Sequence, residues 1–482
     1  MTTRYRSVWL APALLFAALL FIAVTINFSG IQAGHDSDSV LMAFISIDRW
    51  TPFYWGDNRY GMPIPLLASF IRDYRWNLLF QTQILTLAAL GVVCSMNLFF
   101  LHASETPVVA RLGAACLSMP VFFVLFRPGS ELTRVYLLAH PYEISLAICL
   151  LATAMVLRVR GHAAVRLPAA LVLAALALWL NYSSIAVLGV LLAVLPARQR
   201  TWRETLVERA IALAGTGFLA AVLRLWAAQF PNMGAVVRTP VAEWSRTALR
   251  LWEGTLMHVV YPWVLAGLLA AAIAAGLLLR RRQWFETRDL WGFGLTAALF
   301  AAAVSVTDWP MRNDYQPRYW TVPLTLVVVA AAAYPARALF EGLRAVIGSK
   351  VLTAAIVAML LVTAGIQAFG FPSARRALEA MDSATGTWFA EAEGLGCTHL
   401  LGNYRMAWNT AFYGRAHGRN PKYAITLRSE VVRDEWERVP ASKRKYCVLC
   451  SQPSDQLFWR AHMKLGEVHQ TGATGDVCRL EP

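Results

Sequence analysis

Charged residues are scarce in this sequence. They make up 15% of its 482 residues, whereas 57% are hydrophobic. A soluble domain cannot bury that much apolar surface, but a bilayer accepts it when helices satisfy every backbone polar group internally. Uncharged runs over 8–22, 264–279 and 351–366 are each long enough for all or most of a membrane-spanning helix. The scarcity of charge therefore predicts a helical membrane protein.

Two other features are missing. The net charge is +15, yet no basic stripe is interleaved with stacking aromatic residues. We therefore expect no nucleic-acid partner and assign the arginines to helix ends, where they orient the chain and meet membrane lipids. The first apolar run lacks a convincing small-residue cleavage site, although Arg4 and Arg6 precede it. We interpret this run as an uncleaved first helix.

The apolar segments predict about eleven membrane spans. We place them at about 8–29, 77–101, 111–126, 135–157, 167–180, 185–197, 208–228, 258–279, 289–306, 319–340 and 350–369. A polar turn at 181–184 separates the short fifth and sixth spans. They are either two short helices joined by a tight turn or one long broken helix, whose break must face protein or a wet cavity.

Arginine-rich loops set the expected orientation. The loops around 158–166, 198–209 and 280–288 hold many arginines and few acids, which is typical of cytosolic loops. The N-terminus is then cytosolic. With an odd number of spans, the C-terminal domain lies on the other side of the membrane.

Cysteine is also rare, and four of the seven cysteines fall in the polar C-terminal region, 371–482. They are Cys397, Cys447, Cys450 and Cys478. Outside the cytosol they suggest one or two disulfides, with three pairings open if all four pair. The pair Cys447 and Cys450 has a redox or zinc alternative, but no second close pair accompanies it. Helix-like segments at 373–392 and 456–465 and strand-like segments at 398–401, 423–427 and 445–449 predict a small α/β domain.

The first outer loop, about 30–76, carries the most informative polar residues. Asp36 and Asp38 stand two residues apart just beyond the first helix, and Arg59 and Tyr60 follow in an aromatic, Gly- and Pro-rich segment. A carboxylate there can take a proton from a hydroxyl or hold a cation, and an arginine can bind a phosphate. The alternative is structural: Asp36 caps an amphipathic surface helix and Asp38 is a solvated charge in its first turn.

Three other places hold candidate polar residues. His140 and Glu143 are three apart and share a helix face if the helix continues through Pro141. Arg224 lies near the outer end of the seventh span, and Arg318 and Tyr319 precede a late helix. Each has a structural alternative: Glu143 bonds a neighbouring helix, the arginines snorkel, and Tyr319 belongs to an aromatic belt.

Together these stretches resemble the GT-C superfamily of membrane glycosyltransferases, which take sugars from polyprenyl-phosphate carriers. The resemblance covers nearly the whole membrane part: a first helix, an early acidic loop, the aromatic segment 55–65 and the polar break at 181–184. The run 317–323 is similar to the Arg-Tyr…Pro run of the aminoarabinose and mannosyl transferase branches. The strict Asp-Glu pair, the Lys-Pro-Pro run of the first loop and the Trp-Trp-Asp signature of oligosaccharyltransferases are missing. The branch and the sugar therefore stay open.

The resemblance implies a fold and a reaction. The expected fold is an all-α polytopic membrane bundle, residues 1–370, followed by a small extracytosolic α/β domain. Asp36 or Asp38 would activate an acceptor hydroxyl for inverting attack on the anomeric carbon. The expected donor-binding residues are Arg59, Tyr60, His140, Glu143, Arg224, Arg318 and Tyr319. The cofactor is either none or a divalent cation held by Asp36 and Asp38.

The same resemblance implies partners and a location. The donor is a polyprenyl-phosphate-linked sugar, and the acceptor is a glycan, lipid or protein of the cell envelope. The expected location is a bacterial inner membrane, with a periplasmic C-terminal domain. Three rival functions remain: a flippase or transporter of lipid-linked sugars, an O-antigen polymerase or ligase, and a non-catalytic membrane scaffold. The missing internal repeat weighs against a transporter, and the early position of the acidic loop weighs against a polymerase.

Overall fold

The computed structural model describes most of the chain. The described residues are 37–102, 106–125, 141–197, 202–230, 240–258, 287–312, 317–347, 385–402, 404–419, 422–426, 437–449, 453–473 and 475–480, with a few isolated positions. The predicted spans at 8–29, 258–279 and 350–369 lie wholly or almost wholly outside them. Helices predominate, and a small sheet lies near the C-terminus.

The described helices are α1 (Ser37–Ile47), α2 (Pro63–Ala68), α3 (Tyr74–Ser95), α4 (Val108–Leu125), α5 (Tyr142–Leu157), α6 (Ala163–Leu180), α7 (Ser184–Val194), α8 (Trp202–Ala227), α9 (Val241–His258), α10 (Thr287–Ser305), α11 (Trp309–Arg312), α12 (Thr321–Ile347), α13 (Tyr404–Ala416) and α14 (Pro453–Met463). A π turn, Met96–Phe100, extends α3, and 3-10 turns cover Pro317–Trp320 and Ala441–Lys443. A further helical stretch covers 385–394. The strands are β1 (Phe53–Tyr54), β2 (Asp57–Gly61), β3 (His399–Gly402), β4 (Tyr423–Ile425), β5 (Tyr446–Leu449), β6 (Val468–Thr471) and β7 (Val477–Leu480).

Among the described helices, four are long and apolar enough to cross a membrane. They are Tyr74–Phe100, Ala163–Leu180, Thr205–Ala227 and Thr321–Val346. The sequence predicted a span at each of these four places, because a run of about twenty apolar residues identifies a spanning helix by itself. The total of about eleven spans stays a prediction.

The contacts within the chain form two units. The described residues of the helical unit lie within 85–225 and 236–371. Those of the second unit, here called the loop–sheet unit, lie within 28–84, 226–235 and 372–482. The loop–sheet unit therefore contains the predicted first outer loop together with the C-terminal domain.

Close packing holds the helical unit together. Helices α4 and α12 approach so closely that a Cβ at Gly113 would lie 2.1 Å from the ring of Phe340. Only glycine fits there without displacing the ring. Helices α6 and α7 are two separate helices, because residues 181–183 form a turn between them. Asn181 Oδ1 holds that turn by accepting hydrogen bonds from the backbone N and Oγ of Ser183. The structure thus decides between the two alternatives that the sequence left open.

Buried arginines fix the ends of several of these helices. Arg166 pairs with Glu208 at 2.9 Å and donates to backbone carbonyls at the end of α5. Arg209 donates to the carbonyl oxygens of Leu192, at 2.5 Å, and Leu195, at 2.7 Å, at the end of α7. These arginines belong to the loops from which the membrane orientation was predicted. The structure shows that they also satisfy carbonyl groups left open at helix ends.

The C-terminal part of the loop–sheet unit is a five-stranded sheet in the order β4-β3-β5-β7-β6. Strand β3 runs parallel to β4 and β5, whereas β7 is antiparallel to β5 and β6. A disulfide joins Cys397 to Cys447, one of the pairings that the sequence allowed. Cys478 is a free, buried thiol, and Cys450 lies outside the described residues.

The predicted strands of this domain are confirmed as β3, β4 and β5, and the helix predicted at 456–465 is confirmed as α14 with an earlier start. The helix predicted at 373–392 is described only from residue 385. Helix α13 and strands β6 and β7 were not predicted. All four residues of β6 are exposed, so this strand lacks the hydrophobic alternation that identifies a half-buried strand.

Candidate functional site

Asp38 lies in the first turn of α1, which begins at the predicted acidic site. Its Oδ1 accepts a hydrogen bond of 3.0 Å from the hydroxyl of Tyr54. The helix is buried along most of its length rather than lying on a surface, with Leu41 and Ile45 fully buried. Asp38 is therefore an oriented, half-buried carboxylate. Asp36 lies outside the described residues.

Strands β1 and β2 form a hairpin that follows α1. Tyr54 pairs with Asp57 across it, and Gly56 makes the turn with a φ of 74°, a conformation that favours glycine. Arg59 donates from Nε to Asp57 Oδ1 at 2.9 Å and from Nη2 to Asp57 Oδ2 at 2.5 Å. Its guanidinium also lies 5.5 Å from the ring centroid of Tyr60. The hairpin thus holds the predicted phosphate ligand Arg59 in a fixed orientation.

Asp57 was not among the residues predicted from the sequence. Asp57 and Arg59 are two residues apart, so they project from the same face of β2 and can form a bidentate pair. That spacing was visible in the sequence, but the strand was not predicted, because it is short and carries Asn58 and Gly61.

Two buried side chains of the hairpin, Trp55 and Asn58, each have a polar atom without a hydrogen-bond partner among the described residues. Asn58 donates from Nδ2 to the carbonyl oxygens of Ala227, at 2.8 Å, and Phe230, at 3.3 Å. Its Oδ1 and the indole Nε1 of Trp55 have no hydrogen-bond partner among the described residues. The Phe53 ring packs on Trp226 with centroids 4.9 Å apart. These contacts attach the hairpin to residues 226–230 of the same unit.

Helix α13 of the C-terminal part packs on α1. The ring centroid of Phe44 lies 5.2 Å from that of Trp408 and 6.2 Å from that of Phe412. Asp48, just after α1, pairs with Arg415 at 3.7 Å. We call these five residues the α1–α13 interface. It holds the helix that carries Asp38 against the C-terminal domain.

Asp48 is the titratable group of this interface with a shifted pKa. Burial raises its pKa above the ordinary value of 3.8, while Arg415 and the hydrogen bond from Tyr74 oppose that shift. Arg415 and the Tyr74 hydroxyl are also the charged and titratable groups that contact it. The folded protein therefore binds the Asp48 proton more tightly than the unfolded chain does.

This shift predicts a dependence of stability on pH. A raised native pKa means that ionisation of Asp48 lowers the free energy of unfolding as the pH rises through the interval just above 3.8. Asp48→Asn keeps an acceptor for Tyr74 and has no charge to lose. We expect wild type to lose stability relative to this variant as the pH rises above 3.8. Thermal unfolding in lipid nanodiscs measures the difference, and parallel curves for the two proteins would refute it.

The remaining predicted residues belong to the helical unit. Glu143 is buried in the first turn of α5, and its Oε1 has no hydrogen-bond partner among the described residues. Arg224 is exposed in the last turn of α8. Tyr319 is buried in the turn Pro317–Trp320, which also contains Arg318. His140 lies outside the described residues, and α5 begins after it at Tyr142.

The predicted residues are thus divided between the units: Asp38, Arg59 and Tyr60 lie in the loop–sheet unit, and Glu143, Arg224, Arg318 and Tyr319 lie in the helical unit. No family model and no curated protein matches this chain.

The predicted metal ligands are Asp36 and Asp38, and Asp36 lies outside the described residues. Across the part of the chain that the structure describes, no group of three or more His, Cys, Asp or Glu side chains could hold a metal ion. Asp38 is already oriented by a tyrosine hydroxyl, and the nearby hairpin carboxylate Asp57 is bound to Arg59. A divalent cation shared by Asp36 and Asp38 stays a prediction.

Proposed function

We propose that this protein is an inverting glycosyltransferase of a bacterial inner membrane. It would transfer a sugar from a polyprenyl-phosphate carrier to a hydroxyl acceptor on a cell-envelope glycan, lipid or protein at the outer face. The observation that carries the proposal is the oriented Asp38 carboxylate, held by Tyr54 of the same hairpin that holds Arg59. A base and a phosphate-binding cation thus belong to one unit.

The reaction needs few groups. Asp38 accepts the proton of the acceptor hydroxyl while that oxygen attacks the anomeric carbon from the face opposite the phosphate. The bond between the anomeric carbon and the phosphate oxygen breaks, and the polyprenyl phosphate leaves with the bonding electrons. Arg59 stabilises the negative charge that develops on the leaving phosphate, and Asp57 fixes the direction of its guanidinium. The membrane anchor of the donor supplies positioning, which lowers the entropic part of the barrier.

The direct test uses purified protein in nanodiscs with a panel of radiolabelled polyprenyl-phosphate monosaccharides. We expect release of the sugar from one donor class, with water as the acceptor, and inversion at the anomeric carbon when the product is analysed by NMR before it mutarotates. A parallel reaction with EDTA decides whether a divalent cation is required. Retention of configuration, or no release from any donor that binds, would contradict the proposal.

A second function is favoured by Glu143. A buried carboxylate with an unpaired oxygen in an apolar helix is typical of proton-coupled transporters. A flippase for the same lipid-linked sugars would bind the donors without releasing sugar. In proteoliposomes it would instead move the labelled donor between leaflets, and Glu143→Gln would stop that movement.

A further inference from the structure

Several apolar side chains lie exposed from α2 to the first turn of α3. Leu66 is 45% exposed, Leu67 58%, Phe70 69% and Trp76 54%. The Phe70 ring also packs edge-on against Phe80 of α3, with centroids 5.5 Å apart. One exposed leucine is ordinary, but a group of large apolar side chains in one short stretch indicates a binding surface. We call residues 66–76 the exposed apolar segment.

The backbone of this segment is held from its other side. Ser46 Oγ donates to the carbonyl oxygen of Pro65 at 2.8 Å. Asn77 Nδ2 donates to the carbonyl oxygens of Ala68 and Ile71, both at 2.9 Å. Ser46 and Asn77 also bond each other at 2.8 Å. Because these bonds are buried or partly buried, they hold the backbone of the segment while its apolar side chains stay exposed.

The helix next to this surface indicates that membrane lipid covers it. The helix Tyr74–Phe100 has 27 residues and is a candidate membrane span. At 1.5 Å per residue it is about 40 Å long, whereas the hydrocarbon core of a bilayer is about 30 Å thick. A helix of this length that is only slightly tilted places its terminal turns in the headgroup region. Trp76 lies in the first turn of this helix, and tryptophan is enriched at the membrane–water interface.

The polar neighbours of the segment suit the same environment. Arg72 is exposed and Arg75 is half-buried, so both can reach lipid phosphates while apolar side chains enter the acyl boundary. Trp50 is partly exposed and donates from Nε1 to the carbonyl oxygen of Met62, at the start of α2. An aromatic ring with one polar end is favoured at this boundary.

We propose that the exposed apolar segment is an interfacial anchor that lies in the bilayer surface at the N-terminal end of the span Tyr74–Phe100. Its partner is lipid, with Leu66, Leu67 and Phe70 inserted at the boundary of headgroups and acyl chains. This inference does not depend on the transfer reaction. Because Ser46 belongs to α1, the anchor also sets the height of the helix that carries Asp38 above the membrane.

The test measures depth with a fluorescent probe. Leu67→Cys is labelled with NBD and the full chain is placed in nanodiscs, with and without lipids that carry a doxyl quencher at a shallow or a deep acyl position. Wild type is labelled in parallel to measure the background from the native cysteines. Val172→Cys, exposed in the span Ala163–Leu180, is the membrane control, and Leu457→Cys, exposed in α14, is the water control.

We expect the probe at Leu67 to lose more than roughly half of its emission with the shallow quencher and less with the deep one. The Val172 probe should respond to the deep quencher, and the Leu457 probe to neither. Phe70→Cys gives the same measurement if the Leu67 variant fails to fold. Unquenched probes at both Leu67 and Phe70 would overturn the proposal, and so would an unquenched Val172 probe, because the bilayer itself would then be absent.

Discussion

Asp38→Asn should lower the rate of sugar release by about 10²- to 10⁴-fold, the range for loss of a general base. The amide keeps an oxygen that can accept the Tyr54 hydrogen bond, so α1 and the hairpin should stay folded. What it loses is the ability to take the proton of the acceptor hydroxyl. The turnover number should therefore fall much more than the donor affinity, which depends on groups such as Arg59.

Two variants serve as controls for this result. Glu467→Gln removes a carboxylate that is 87% exposed in the same unit and should leave the rate unchanged. Tyr54→Phe keeps the Asp38 carboxylate but removes the group that orients it, so a smaller loss of about tenfold is expected. Full activity in Asp38→Asn would exclude Asp38 as the base and direct attention to Asp36, which should then be changed alone and together with Asp38.

Removing the disulfide should lower the free energy of unfolding more than the change at Asp48 does. The Cys397–Cys447 bond closes a loop with a sequence separation of 50. The chain-entropy relation for a loop of this size gives a stabilisation of up to about 4 kcal/mol. Because both cysteines are buried, alanine replaces them without leaving buried polar groups. The double variant Cys397→Ala/Cys447→Ala should therefore unfold in the C-terminal domain at much lower denaturant concentration than wild type.

Pulse proteolysis of the full chain in nanodiscs measures this difference. Cys478→Ala is the matched control, because Cys478 is also a buried cysteine of the same sheet but is a free thiol. This variant should lose only the small free energy of unfolding that the buried sulfur atom of Cys478 contributes. Equal proteolysis of the double variant and wild type would show that the disulfide does not stabilise the domain. The same bond, detected on a non-reducing gel from cells, would support an extracytosolic location.

The sequence predicted those parts of the fold that depend on local patterns. The four candidate spans are long apolar runs, and β3, β4 and β5 are short apolar runs between turn residues, so each is recognisable without knowledge of its neighbours. Asp38, Arg59 and Tyr60 were identified as candidates because carboxylates, an arginine and aromatic residues follow one another in the loop after the first predicted helix.

The missed features depend on residues distant in sequence. Nothing local to Phe44 indicates that Trp408 and Phe412 will cover it, and helix α13 was not predicted. Likewise, Asn58 bonds to carbonyl groups of residues 227 and 230, which no pattern in the first loop reveals. The raised pKa of Asp48 has the same origin, since its burial depends on packing between distant segments. Sequence patterns identify elements, but the pairing of distant segments depends on the whole fold.

The α1–α13 interface also imposes an order on biosynthesis. Phe44 and Trp408 are separated by about 360 residues, which a ribosome needs roughly 20 to 70 s to add at 5–20 residues per second. During that time the apolar face of α1 emerges without the helix that covers it in the folded protein. We therefore expect the apolar face of α1 to stay uncovered by α13 until the last sixth of the chain is being translated. Truncation before α13 should leave the first outer loop sensitive to proteases, even in a chain whose helices have inserted normally.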